Sequence, residues 1–125
     1  MPDFEDHRRI VDRNLAFVAA CLGARECGGF TGKLASAYFH AAMHSIEAFF
    51  AREGEHNKSH QQRERAMRQS KRLRGLNVHV RAKYKVLQTA SYDERYNGRE
   101  PTAGDLLNEL KPRFEEIDSA MRSLY

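Results

Sequence analysis

The stretch LASAYFHAAMHSIEAFF, Leu34–Phe50, decides the fold. Residues three or four apart on an α-helix share a face. Leu34, Tyr38, Ala41, Ser45 and Ala48 form one such stripe, and Ala35, Phe39, Ala42, Ile46 and Phe49 form the stripe beside it. The alanines let a neighbouring helix approach closely. Gly54 is a natural stop, since glycine readily takes the left-handed conformation that ends a helix.

Working outward, a first helix is expected from Asp3 or Asp6 as N-cap to about Gly23. Ile10, Leu15, Phe17, Val18 and Leu22 mark most of its apolar side. Arg25 to Gly32 holds Gly28, Gly29 and Gly32 and reads as a connecting loop, after which Thr31 or a neighbour opens the central helix. Asn57 and Ser59 are candidate caps of a third helix running to about Leu73. Gly75 interrupts, and Leu76 to about Ser91 reads as a fourth, with Val80, Tyr84 and Leu87 on one face. The segment SYDERYNGREPT, Ser91–Thr102, has turn composition. Thr102 and Asp105 form a capping box with Asp in the glutamate place. A last helix carries Leu106, Leu107, Leu110, Phe114, Ile117, Met121 and Leu124, and Pro112 inside it predicts a bend or a late break. No segment alternates with period two. The expected class is all-α: one domain over residues 1–125, built as an antiparallel up-and-down bundle of four to five helices.

The 125 residues are 41% hydrophobic, enough for one core. No run approaches the roughly 18 apolar residues of a membrane span. The opening MPDFEDHRRIVDR carries both charge signs and lacks the layout of a signal peptide, so a cytoplasmic protein is expected. Cys21 and Cys27 are the only cysteines, too few for a disulfide framework and wrongly spaced for a zinc knuckle; two reduced thiols are expected. No cofactor is called for.

Net charge is +4, and its distribution matters more than its sum. Between Arg63 and Lys85 stand Arg63, Arg65, Arg68, Lys71, Arg72, Arg74, Arg81, Lys83 and Lys85, with Glu64 the only acid. The chain from Asp93 onward leans acidic. Such a belt attracts polyanions, namely nucleic acid, nucleotide phosphates or an acidic partner. The competing reading is a solvated face neutralised by the protein's own acidic tail.

Three constellations carry potential chemistry. His40, His44 and Glu47 share one side of the central helix, and histidines at i and i+4 can share a zinc ion; the glutamate base of HExxH is missing, however, and a hydrogen-bonded polar seam is the simpler reading. Arg74 and His79, with four residues between them, fit an arginine–histidine pair for RNA cleavage, with His79 as base toward the 2′-hydroxyl and Arg74 on the phosphate; composition alone makes such pairs common. In SYDERY, Tyr92, Asp93, Arg95 and Tyr96 stand at a helix end, where tyrosine and arginine would stack on a base and hold a phosphate, or tie a turn to the bundle.

Taken in order, an aromatic, alanine-rich helix (KLASAYFHAAMHSIEAFFAREG), a following histidine with basic residues (SHQQRERAM), a Tyr-Asp element (ASYDERYNG) and a long amphipathic last helix resemble the HEPN-domain family, from Lys33 to the C-terminus. Tyr38 and Phe39 match its early aromatic pair, His60 its helix-opening histidine and Ala90 to Asp93 its aDYd-like element. The resemblance implies an up-and-down bundle, homodimerisation and work beside nucleotides or RNA. It also implies a minimal nucleotidyltransferase partner or a toxin–antitoxin setting. The toxin branch carries an Rx4-6H motif near a late helix, and no histidine follows Lys83 here.

The expected function is therefore a non-catalytic domain that binds nucleotide, RNA or a nucleotidyltransferase partner through His60, Arg63, Arg74, Arg81, Tyr84, Tyr92 and Arg95. The alternatives are a metal-independent endoribonuclease using Arg74 and His79, and a protein-interaction adaptor.

Overall fold

The computed structural model describes residues 2–22, 31–99 and 101–125. The chain is all-helical, with no strand among the described residues. In order come α1 (Phe4–Leu22), α2 (Thr31–Arg52), α3 (His60–Gln69), α4 (Asn77–Asn97) and a last helix, α5. The last helix joins a first turn Ala103–Asp105, a π-helical stretch Leu106–Leu110 and an α-helical stretch Lys111–Arg122.

Helix α2 is the hub, touching α1, α4 and α5, while α4 also meets α3 and α5. Both of its predicted stripes are buried throughout. Around it the core closes with Val11 and Val18 from α1, Met67 from α3, Val80, Tyr84 and Leu87 from α4, and Leu106, Leu110, Phe114, Ile117 and Met121 from α5. Each neighbouring helix offers only a stripe, so its stability comes from docking on α2 rather than from intrinsic propensity.

Local signals fix the ends. Asp3 accepts a bond from the Asp6 N–H at 2.9 Å while Asp6 accepts one from the Asp3 N–H at 3.1 Å, a reciprocal cap that opens α1. Ser59 caps α3 by accepting from the Gln62 N–H, and Thr102 with Asp105 forms the expected capping box. Gly54 and Gly75 take positive φ where α2 ends and α4 is about to begin.

Several expectations need correction. Gly32 belongs to α2, where a Cβ would run into Glu94 of α4, so this glycine serves helix contact rather than a loop. Arg25, Cys27, Gly28 and Gly29 lie outside the described residues. Phe17 is 42% exposed, and Val11 takes the buried place on α1. Helix α3 ends at Gln69, short of Leu73. Helix α4 does not stop at Ser91 but runs through SYDERYN to Asn97, ending on the left-handed Gly98. Its polar residues look outward, and Ser91 packs inward with its hydroxyl 3.0 Å from that of Ser36. Pro112 neither breaks nor ends the last helix: the preceding turn widens so that the Lys111 N–H bonds the Leu106 carbonyl, and the proline enters as the second residue of the next α-helical stretch. Cys21 is free and half-buried.

Polar contacts dock α1. His7 and His44 meet through their Nδ1 atoms at 2.9 Å, which requires one neutral ring to donate and the other to accept. Arg8 donates to Asp118 at 2.7 Å, and Ser45 donates to the same oxygen at 2.7 Å. Burial alone would push the Asp118 carboxyl up, but the bonds from Arg8, Ser45 and Arg122 hold it below the usual range. The Tyr125 hydroxyl donates to the Ser45 carbonyl at 2.8 Å, closing the chain end onto α2.

Removing Asp118 strands a buried guanidinium, so Asp118→Ala should cost about 3 kcal/mol or more in urea-unfolding experiments. Burial pulls His7 below its ordinary pKa, and burial with the neighbouring His7, His40 and Arg63 pulls His44 down to about 4. A histidine lowered by folding binds fewer protons folded than unfolded. Its stabilisation is therefore complete above about pH 6.5 and is lost as pH falls toward 4. The urea midpoint should decline across that window, and less steeply in His44→Phe.

Candidate functional site

Helix α3 contributes only Arg63 and Met67 to the interior. These are i and i+4, one stripe, and burying them turns Gln61, Arg65 and Arg68 outward at i, i+4 and i+7. Across from them, Lys85 and Gln88 stand on α4. Between the two helices lies a groove of about 670 Å³, lined by these residues with His60, Glu64, Gln69 and Tyr84.

The groove floor is a buried polar cluster. Arg63 Nε donates to Glu47 Oε1 of α2 at 2.6 Å, and both side chains are almost completely buried. Arg63 Nη1 donates to the Tyr84 hydroxyl at 3.1 Å and lies 3.0 Å from His60 Nδ1. The rings of Tyr84 and His60 both rest against Phe39, with centroids 5.4 and 5.8 Å away. Burial keeps the Tyr84 hydroxyl above its ordinary pKa and therefore protonated.

The basic belt divides into two populations. Arg63 is committed to Glu47, Arg72 to Glu53, Arg81 to Glu64 at 2.6 Å and Lys83 to Glu116 at 3.0 Å. Only the last of these reaches the acidic tail; the other carboxylates belong to α2, the turn after it and α3. Arg68 keeps a loose, exposed pairing with Glu64 at 3.9 Å, worth little in water. Arg65 and Lys85 make no ion pair among the described residues and face the groove.

Beyond the groove, α4 continues the same surface. Lys85, Gln88, Tyr92 and Tyr96 fall at i, i+3, i+7 and i+11, one stripe about 16 Å long. Tyr92 and Tyr96 are 55% and 68% exposed, with ring centroids 4.8 Å apart. Arg95 sits beside them, donating to Ser91 and reaching over the Tyr96 ring.

Of the residues singled out from the sequence, His60 and Tyr84 line the groove, with Arg63 beneath them as a buried positioning group rather than an open phosphate contact. Arg81 stands at its edge, bound to Glu64. Tyr92 and Arg95 lie on the exposed end of α4. Arg74 is exposed in the turn before α4 and does not line the groove, while His79 opens on a separate cleft between α4 and α5 with Lys83 and Glu116. The His40, His44 and Glu47 stripe serves three different neighbours. Glu47 holds Arg63, His44 meets His7, and His40 packs on Phe39 with burial, then Arg95 and His60, lowering its pKa. Among the described residues no three His, Cys, Asp or Glu side chains gather as a metal site. Gln61 and Gln88 enter the site without having been named, Arg65, Arg68 and Lys85 come from the basic belt, and Tyr96 comes from SYDERY. The outward direction of Gln61, Arg65 and Arg68 follows from the buried Arg63–Met67 pair, which dictates the opposite face.

Comparisons of the chain with protein-family models, characterised proteins and solved structures yield no match.

Breaking the floor should be costly while replacing it whole should not. Glu47→Ala leaves Arg63 buried and alone, with an expected loss of about 3–5 kcal/mol. Glu47→Leu combined with Arg63→Met should restore most of that in the same unfolding titration.

Proposed function

We propose that the protein binds RNA or a nucleotide along the α3–α4 surface, without catalysis of its own. The observation that carries this reading is the groove whose cations, Arg65, Arg68 and Lys85, are unpaired or only loosely paired, continued by the exposed Tyr92–Tyr96 pair. Cations facing solvent from two helices favour phosphate oxygens, and aromatic rings one helical turn apart offer a platform for unstacked bases. The glutamines at 61, 69 and 88 add donors and acceptors for base edges or ribose.

In this reading the molecule is an up-and-down helical bundle of HEPN-like character, working as a homodimer in the cytoplasm, with a minimal nucleotidyltransferase as its protein partner and a toxin–antitoxin pair as its setting. The support is the all-helical architecture around an aromatic, alanine-rich α2, together with the histidine that opens α3.

A labelled ten-nucleotide oligouridylate should bind at low salt by fluorescence anisotropy. Three phosphate contacts predict a slope of about −2 in log affinity against log salt. Replacing Arg65, Arg68 and Lys85 together by glutamate should remove binding without unfolding the protein, and Tyr92→Ala should weaken it about fivefold or more. Arg74→Ala should change it by less than about twofold, because that side chain lies outside the groove. No change of anisotropy with the wild-type protein at low salt rejects the reading.

A further inference from the structure

His60 has two ring nitrogens, and its surroundings assign the proton. Nδ1 lies 3.0 Å from Arg63 Nη1 and 3.3 Å from the Tyr84 hydroxyl. A guanidinium has donors only, so Nδ1 must offer it a lone pair. Arg63 cannot easily turn away, because its Nε is fixed 2.6 Å from buried Glu47. The Tyr84 oxygen also accepts from Nη1 at 3.1 Å, which leaves its own proton free to point at His60. A neutral imidazole whose lone pair is at Nδ1 carries its hydrogen on Nε2. Nε2 makes no hydrogen bond among the described residues, and His60 is exposed in the groove lining.

We propose that His60 meets the ligand as a neutral N–H donor through Nε2, in a tautomer imposed by Arg63, and not as a base or a cation. The identity of the ligand rests on the proposed RNA reading; the tautomer does not. The ligand atom opposite Nε2 is an acceptor, either a phosphate oxygen or a base carbonyl. A base toward a 2′-hydroxyl needs an exposed lone pair, and this ring turns its lone pair inward, so His60 recognises RNA without activating it for cleavage.

Charged and titratable groups around the ring act together. Helix α2 brings His40 and Glu47, α3 brings Arg63 and Glu64, and α4 brings Tyr84, Lys85 and Arg95. Glu47 is occupied by Arg63 and Glu64 by Arg81. What remains opposes a positive ring: burial first, then Arg63, Arg95 and Lys85, all lower the pKa of His60.

Long-range proton–nitrogen correlation spectra of the ¹⁵N-labelled full chain near neutral pH should show the Nε2-protonated pattern for His60. An Nδ1-protonated ring or an imidazolium overturns the proposal. Arg63→Lys keeps a positive partner for Glu47 but withdraws Nη1, and His60 should then shift toward mixed tautomers; an unchanged pattern overturns the role of Arg63. Should that variant not fold, Glu47→Leu with Arg63→Met makes the same test. In oligouridylate binding, His60→Gln offers an amide N–H in place of Nε2–H and should stay within about threefold of wild type. His60→Ala should lose about threefold to tenfold. Wild-type binding that tightens tenfold through His60 on acidification also overturns the proposal. A protein that binds no RNA at all rejects the proposed function, while the spectra still decide the tautomer.

Discussion

The contact between Glu47 and Arg63 organises the face shared by α3 and α4. A carboxylate in the middle of an apolar helix is tolerated only when a cation with good geometry joins it, because either charge alone would pay heavily for leaving water. Helix α3 has ten residues and a strongly polar sequence. Besides Met67 and the half-buried Ala66 it has no apolar residue to bury, so the ion pair sets which way the helix is turned. A pair of this kind adds little net stability over a well-packed apolar substitute. What it supplies is orientation, and the outward direction of Arg65 and Arg68 follows from it.

The same economy appears at the opposite side of α2. Ser45 faces the chain end, where Arg8, Asp118 and Tyr125 complete a second buried polar cluster. The central helix thus carries two polar seams set into an otherwise alanine- and phenylalanine-rich surface. One seam fastens the terminal helices, and the other lays the floor of the groove. Every ionic group in these seams has a partner, and one nitrogen of Arg8 is the single buried polar side-chain atom among the described residues without a hydrogen bond.

The helical class and the α2 stripes were legible in the sequence because periodicity of apolar residues is a local property. The caps at Asp3, Ser59 and Thr102 were legible for the same reason. The length of α4 was not. SYDERYN is written in residues that favour turns, and it stays helical because Ser91 docks on Ser36 and the first glycine able to take positive φ is Gly98. The site was legible only by composition. A basic belt can be counted along the chain, but which of its members remain available depends on Glu47, Glu53 and Glu64, whose positions relative to it are set by tertiary packing. Arg63 shows the difficulty best: it belongs to the belt in sequence and to the interior in space. Glu47 carried a signal that was there to be read, a lone acid inside an apolar run, which demands a cation from elsewhere.

The widened turn at Leu106–Leu110 has a consequence for how this chain tolerates change in length. A π-helical turn spaces its hydrogen bonds five residues apart and so holds one residue more than an ordinary turn. Leu106, Leu110 and Phe114, each four residues from the last, all stay in the core across that turn. That extra residue is tied to the proline that follows it. Without that residue Pro112 would stand in the interior of a regular α-helix, where its ring clashes with the carbonyl four residues back, so this turn does not tolerate shortening.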